Sequence, residues 1–147
     1  MGGNTVKRLD TWVFLALGLV LLFAFAGCSK KALSTTVDVV EKEWSLQPSV
    51  TSIKAGETTF IVKNDGAIGH ELVVLKTDLP PAGLHMQASD PTRADEDTDA
   101  DNVGEVENSD VGSVVSVTLN LVPGHYVLVC NIAAHYKNGM FAAFEVK

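Results

Sequence analysis

Cysteine is nearly absent from this chain: Cys28 and Cys130 are the two in 147 residues, too few for a disulfide-stapled scaffold. Basic residues are also sparse, with 11 Lys and Arg against 18 Asp and Glu and a net charge of -7. That balance argues against nucleic acid and against an electrostatic grip on anionic lipid, and it suits docking to a basic partner. Histidine occurs four times, at positions 70, 85, 125 and 135. No segment past the first thirty or so residues carries an apolar stripe at helical spacing, which excludes a helical bundle. The longest apolar run, Trp12 to Ala26, is short for a membrane span of about twenty residues.

What is there reads as β-structure. Val37 to Trp44 is rich in β-branched residues with an imperfect two-residue period, and short strands follow at Val50–Ile53, Thr58–Lys63 and Glu71–Lys76, separated by turn residues. Val111 to Leu121 alternates with Val115, Val117, Leu119 and Leu121 on one face, and Pro123-Gly124 turns the chain into His125–Val129. Phe141–Val146 is the last strand. An all-β sandwich or Greek-key barrel is predicted, with a helix only in the leader. Between Asp90 and Asp110 nine carboxylates face one base, Arg93. Such composition predicts a solvated acidic loop over about 87–110, without core residues. The Asp95-Asp97-Asp99-Asp101 alternation lacks the Gly and Glu of an EF-hand, since Ala100 and Val106 stand there.

The most informative stretch is Cys130-Asn131-Ile132-Ala133-Ala134-His135-Tyr136-Lys137-Asn138-Gly139-Met140, where four residues separate thiol from imidazole and imidazole from thioether. It lies between two apolar strands. Soft sulfur ligands suit copper, and one Cys, two His and a weak axial Met make a blue-copper set. The loop supplies three of these, and His70 is the candidate for the fourth. His125 is excluded: five residues up a strand from Cys130, at about 3.3 Å each, it sits some 16 Å away. His85-Met86 has no neighbours that complete a ligand set, and Met140 has a plainer alternative as core filler at the start of a strand.

Pro123-Gly124-His125-Tyr126-Val127-Leu128-Val129-Cys130, followed by His135 and Met140 and preceded by His70, resembles the cupredoxins, the single-domain blue copper proteins. The loop spacing is similar to that of auracyanin and rusticyanin. The resemblance spans residues 37–147 and implies one type 1 copper held by His70, Cys130 and His135 with Met140 axial. It also implies a one-electron shuttle among redox proteins, with His135 as the exposed point of electron transfer. In the family a backbone N–H after the first His bonds the Cys sulfur, and here that group belongs to Glu71. The family often has Asn or Ser there, so the carboxylate of Glu71 needs a partner such as Asn131 or a backbone amide, or else binds copper itself.

Residues 1–27 read as a signal peptide, with Lys7 and Arg8 ahead of the apolar run. Small residues before Cys28 resemble a bacterial lipoprotein site, with Phe25 where Leu is usual. Cys28 would then be the lipidated N-terminus, 28–36 a tether and 37–147 the domain, anchored to a bacterial membrane at its periplasmic or extracellular face. An uncleaved anchor with Cys28 as a bystander is the other reading. Removing residues 1–27 takes away Lys7, Arg8 and Asp10, leaving 120 residues with a formal charge of -8. A monomer is expected. A copper storage or delivery protein using the same ligands is the alternative function. An enzyme is not expected, because further copper would need more His than His85 and His125, and no helix N-terminus activates the Cys130 thiol.

Overall fold

The structure, a computed structural model, describes Gly2, residues 35–98 and residues 100–147. Apart from Gly2 the leader lies outside the described residues, as do Cys28 and residues 29–34 of the tether. No helix among the described residues is long and apolar enough to cross a membrane.

Among the described residues nine strands form two sheets: β1 (Thr35–Lys42), β2 (Ser45–Pro48), β3 (Ser52–Ile53), β4 (Gly56–Asn64), β5 (His70–Lys76), β6 (Asp101–Ser109), β7 (Val114–Leu121), β8 (Gly124–Val129) and β9 (Phe141–Val146). One sheet runs β2-β1-β4-β7 and the other β3-β9-β8-β5-β6. Alternation explains β1, whose Val37, Val39 and Glu41 point inward. The inner faces meet in a core that includes Val37, Val39, Phe60, Val62, Leu72, Val74, Leu128 and Phe144. Full burial of a side chain of this kind stabilises by roughly 1.5–3 kcal/mol. Strands β5 and β8 read as continuous apolar runs because both their faces are covered. Their outer face holds a second cluster, in which Val73, Leu75, Val127 and Val129 pack under Leu84, Ala94 and Tyr136.

Two expectations need correction. The strand expected to reach Trp44 stops at Lys42, where Glu43-Trp44 turns the chain back so that Lys42 pairs with Ser45. The acidic stretch is not a solvated loop throughout. Its second half is β6, an edge strand paired with β5, and it needs only one buried face. Val103 and Val106 supply that face, while Asp101, Glu105 and Glu107 stay exposed. Charge on an edge strand also discourages pairing with another chain. In the first half, Ala94 is fully buried, bridged to Met86.

Glu41 is the exception on the inner face of β1. It is 0 % exposed and neither carboxylate oxygen has a hydrogen-bond partner among the described residues. The Ser109 hydroxyl is near enough to favour the charge somewhat, but not aligned as a bond. Burial dominates, with the neighbouring Glu71 adding to it, and the carboxyl is pushed up to about 7. Because the folded value lies above the unfolded one of 4.5, the folded state holds this proton longer. The stability it lends is complete below pH 4.5 and is lost as pH rises through 7, a change on the order of 3 kcal/mol. Glu41→Gln, which removes the charge and keeps the shape, is expected to raise the melting temperature of the metal-free protein by several degrees at pH 8 and to leave it nearly unchanged at pH 4. Melting curves of the two proteins across that range check this; a gap that does not widen with pH would refute it.

Candidate metal centre

His70 opens β5 and Cys130 follows β8. Because these strands pair antiparallel, with Val73 opposite Val129, the start of one lies beside the end of the other. The thiol of Cys130 therefore arrives next to the first residues of β5, and the Glu71 N–H donates to Cys130 Sγ over 3.4 Å. The loop after Cys130 folds back on itself. The Cys130 N–H donates to the Met140 carbonyl at 3.0 Å and the Met140 N–H to the His135 carbonyl at 3.1 Å. A left-handed residue sits just before the imidazole, Ala134 at φ 71°, and another before the thioether, Gly139 at φ 97°. The Tyr136 hydroxyl donates to the Pro81 carbonyl at 2.8 Å and accepts the Leu84 N–H at 3.0 Å, which moors the loop to the outer layer.

The result is a cluster of three donor atoms. Cys130 Sγ lies 3.1 Å from His135 Nδ1 and 3.8 Å from His70 Nδ1, and the two nitrogens are 3.3 Å apart. Such separations suit three ligands each about 2.0–2.3 Å from a common centre. The chemistry fits a metal as well. Two imidazole nitrogens and a buried sulfur converge on one point, a donor set that suits a soft metal ion. Met140 is 0 % exposed and belongs to the core beside Cys130. Burial lowers both imidazoles below their usual 6.5, which favours the neutral, ligating form. Burial also pushes the Cys130 thiol up to about 12, against the opposing pull of the Glu71 N–H. A thiolate there requires a cation, and metal binding would release the proton.

The other residues singled out in the sequence lie elsewhere. His125 is the second residue of β8, at the end of the strand away from Cys130, in a cleft with Asp78 and Glu145. His85 and Met86 lie in the outer layer, and the His85 carbonyl accepts the Asp95 N–H. Glu71 does not join the donor cluster; the Asn131 backbone N–H bonds its carboxylate. The Asn131 side chain instead exchanges two hydrogen bonds with Ala94, of 2.6 and 3.0 Å, and donates to Glu96 at 2.6 Å.

His135 was expected at the surface, yet the residue is only 5 % exposed. Trp44 covers it, edge to face, with ring centroids 5.3 Å apart and planes at 89°, an arrangement that contributes about 0.5–1.5 kcal/mol beyond burial. Trp44 itself is 47 % exposed and takes φ 63°, a left-handed conformation costing a non-glycine residue about 1–2 kcal/mol. Its neighbour Glu43 faces the other imidazole, 3.7 Å from His70 Nε2. Sequence reasoning missed both, because Lys42-Glu43-Trp44 reads as the end of a strand.

A sequence model of copper-binding proteins of the plastocyanin/azurin family matches residues 33–147. Among solved structures the chain is similar to reduced auracyanin of Roseiflexus castenholzii, with TM-score 0.56, 20% identity and coverage of 77% of this chain and 97% of that one. It is similar also to auracyanin A, a "blue" copper protein of Chloroflexus aurantiacus, with TM-score 0.54, 19% identity and coverage of 78% and 99%. Rusticyanin of Thiobacillus ferrooxidans gives TM-score 0.52 and 20% identity over 78% of this chain and 77% of that one. No curated protein sequence matches. The structural likenesses, at such identities, speak for a shared fold. The sequence match is the stronger finding, because it takes in every described strand and all four of His70, Cys130, His135 and Met140: the chain belongs to the plastocyanin/azurin family of copper-binding proteins.

Proposed function

We propose that this protein carries single electrons on one type 1 copper held by His70, Cys130 and His135, with Met140 as the weak axial ligand. It works as a monomer at the outer face of a bacterial membrane, tethered through lipid on Cys28, and exchanges electrons with other redox proteins. The observation that carries the electron-carrier reading is the convergence of three buried donor atoms from two distant stretches of chain. Family members are electron carriers rather than enzymes. Copper, when bound, supplies a one-electron Cu(I)/Cu(II) couple. The residues hold the donors in one arrangement that serves both states: β5 fixes His70, the closed loop fixes the other three, and the surrounding core keeps water out. Burial of all four residues favours a carrier over a delivery protein, whose metal must leave readily. The membrane tether is supported by the small residues preceding Cys28 and by the short apolar run before them.

Oxidised, copper-loaded protein is expected to show an intense visible charge-transfer band and one copper per chain. Cys130→Ser should abolish the band while leaving the sandwich folded; an optical spectrum that keeps the band would remove Cys130 from the site. Met140→Leu should keep the colour and raise the reduction potential, as loss of a weak axial donor does, and voltammetry that finds no shift would mean that Met140 does not face the metal. Cells expressing Cys28→Ala should release the protein from the membrane fraction, whereas a variant that stays bound would point to an uncleaved N-terminal anchor.

A further inference from the structure

The two-residue turn Glu43-Trp44 joins β1 to β2 and offers no ligand to the donor cluster, yet it reaches both imidazoles. Glu43 Oε1 accepts the backbone N–H groups of Ala67 at 2.5 Å and Ile68 at 3.1 Å, in the loop that leads into His70. The same oxygen faces His70 Nε2 at 3.7 Å. One residue on, the Trp44 ring stands against that of His135. Nothing in the hairpin itself asks for tryptophan at a left-handed position, where glycine would be free of strain.

The sequence also keeps the meeting point clear. A Cβ on Gly66 would lie 2.6 Å from Glu43 Oε1 and 2.9 Å from His70 Nε2, so a side chain at 66 would force at least one of these groups to move.

We propose that the Glu43-Trp44 turn is a clamp that positions the two histidine ligands from outside, Glu43 acting on His70 and Trp44 on His135. The idea rests on these histidines being the copper ligands. Cys130, His135 and Met140 share one loop, so their mutual placement is settled within it. His70 comes from another part of the chain and has to be brought to them. On the inner side the Glu71 N–H does this through Cys130 Sγ; on the outer side the turn does it. A carboxylate opposite Nε2 draws the ring proton to that nitrogen and leaves the Nδ1 lone pair directed inward. Its charge also favours the oxidised, more positive metal. The indole restrains rotation of the His135 ring and takes over its solvent face.

The test uses the full domain in two forms. In the metal-free protein, amide exchange and histidine ring signals are followed by NMR. Glu43→Ala should speed exchange at Ala67 and Ile68 by about tenfold or more, the factor that goes with losing a charge-assisted hydrogen bond. Glu43→Gln should keep that protection, since the amide oxygen still accepts. Trp44→Ala should leave the His135 ring signals broadened, and Trp44→Phe should restore them. In copper-loaded protein, Glu43→Gln should raise the reduction potential with the band unchanged, and Trp44→Ala should alter the EPR hyperfine splitting while Trp44→Phe does not. Trp44→Gly separates the clamp from a mere turn: a turn role predicts a more stable protein with an unaltered His135 signal, and that result would overturn the proposal. So would an unshifted potential in Glu43→Gln together with unchanged exchange in Glu43→Ala. A wild-type protein without the charge-transfer band would refute the copper reading alone, and the metal-free measurements would still decide the clamp.

Discussion

The structure depends on one register, that of β5 on β8. With Val73 opposite Val129 and Val74 opposite Leu128, Leu72 and Leu128 face the inter-sheet core while Val73 and Val129 face the outer layer. A slip by one residue would exchange those faces along the whole strand. It would also carry the Glu71 N–H away from Cys130 Sγ and His70 out of reach of His135. The burial that fixes the register is thus what fixes the metal site, and the two cannot be changed independently.

That dependence explains why the donors can be held with little help from one another. Without a cation, burial disfavours charge on every one of them: the imidazoles are lowered and the thiol is raised. The pocket is prepared for neutral ligands and a thiolate that forms only in company with metal. Its stability comes from Phe60, Leu72, Leu128 and their neighbours, and from the Tyr136 hydroxyl tying the ligand loop to Pro81 and Leu84. A site that drew its order from the metal would have no such ties.

How much of this was legible depended on how local the signal is. The loop from Cys130 to Met140 is local, and its spacing alone showed three donors. Strands β7 and β9 were legible because apolar residues alternate or run together there, although β7 begins at Val114 rather than at Val111. His70 was less so: only its pairing across the sheet brings it to Cys130, and pairing is not written in a short window. β6 was misread because composition outweighed pattern. Val103 and Val106 sit among acids, and an edge strand covered on one face needs no more than these. Glu41 and the Glu43-Trp44 turn were invisible for the opposite reason. A glutamate in a β-rich run is read as the solvent face, and nothing local marks Trp44 as a left-handed residue lying on a histidine from the far end of the chain.

Three carboxylates surround this site, and their surroundings shift them in different directions. Glu43 lies at the surface and accepts two backbone N–H groups, so it stays ionised well below the usual carboxylate range. Glu41, enclosed and unpartnered, holds its proton to about pH 7. Glu71 is raised by burial, with Glu96 and Glu105 nearby and the Asn131 N–H opposing. The negative charge that acts on the histidines is that of Glu43, which opposes the lowering of both imidazoles by burial. Glu71 and Glu41 lie on the thiol's side, where their charge adds to burial in raising Cys130 while the Glu71 N–H opposes it. Sequence departure from the family's usual Asn or Ser at position 71 is then no loss: the backbone supplies the bond to sulfur, and the side chain is free to tie Asn131, which in turn holds Ala94 and the outer layer in place.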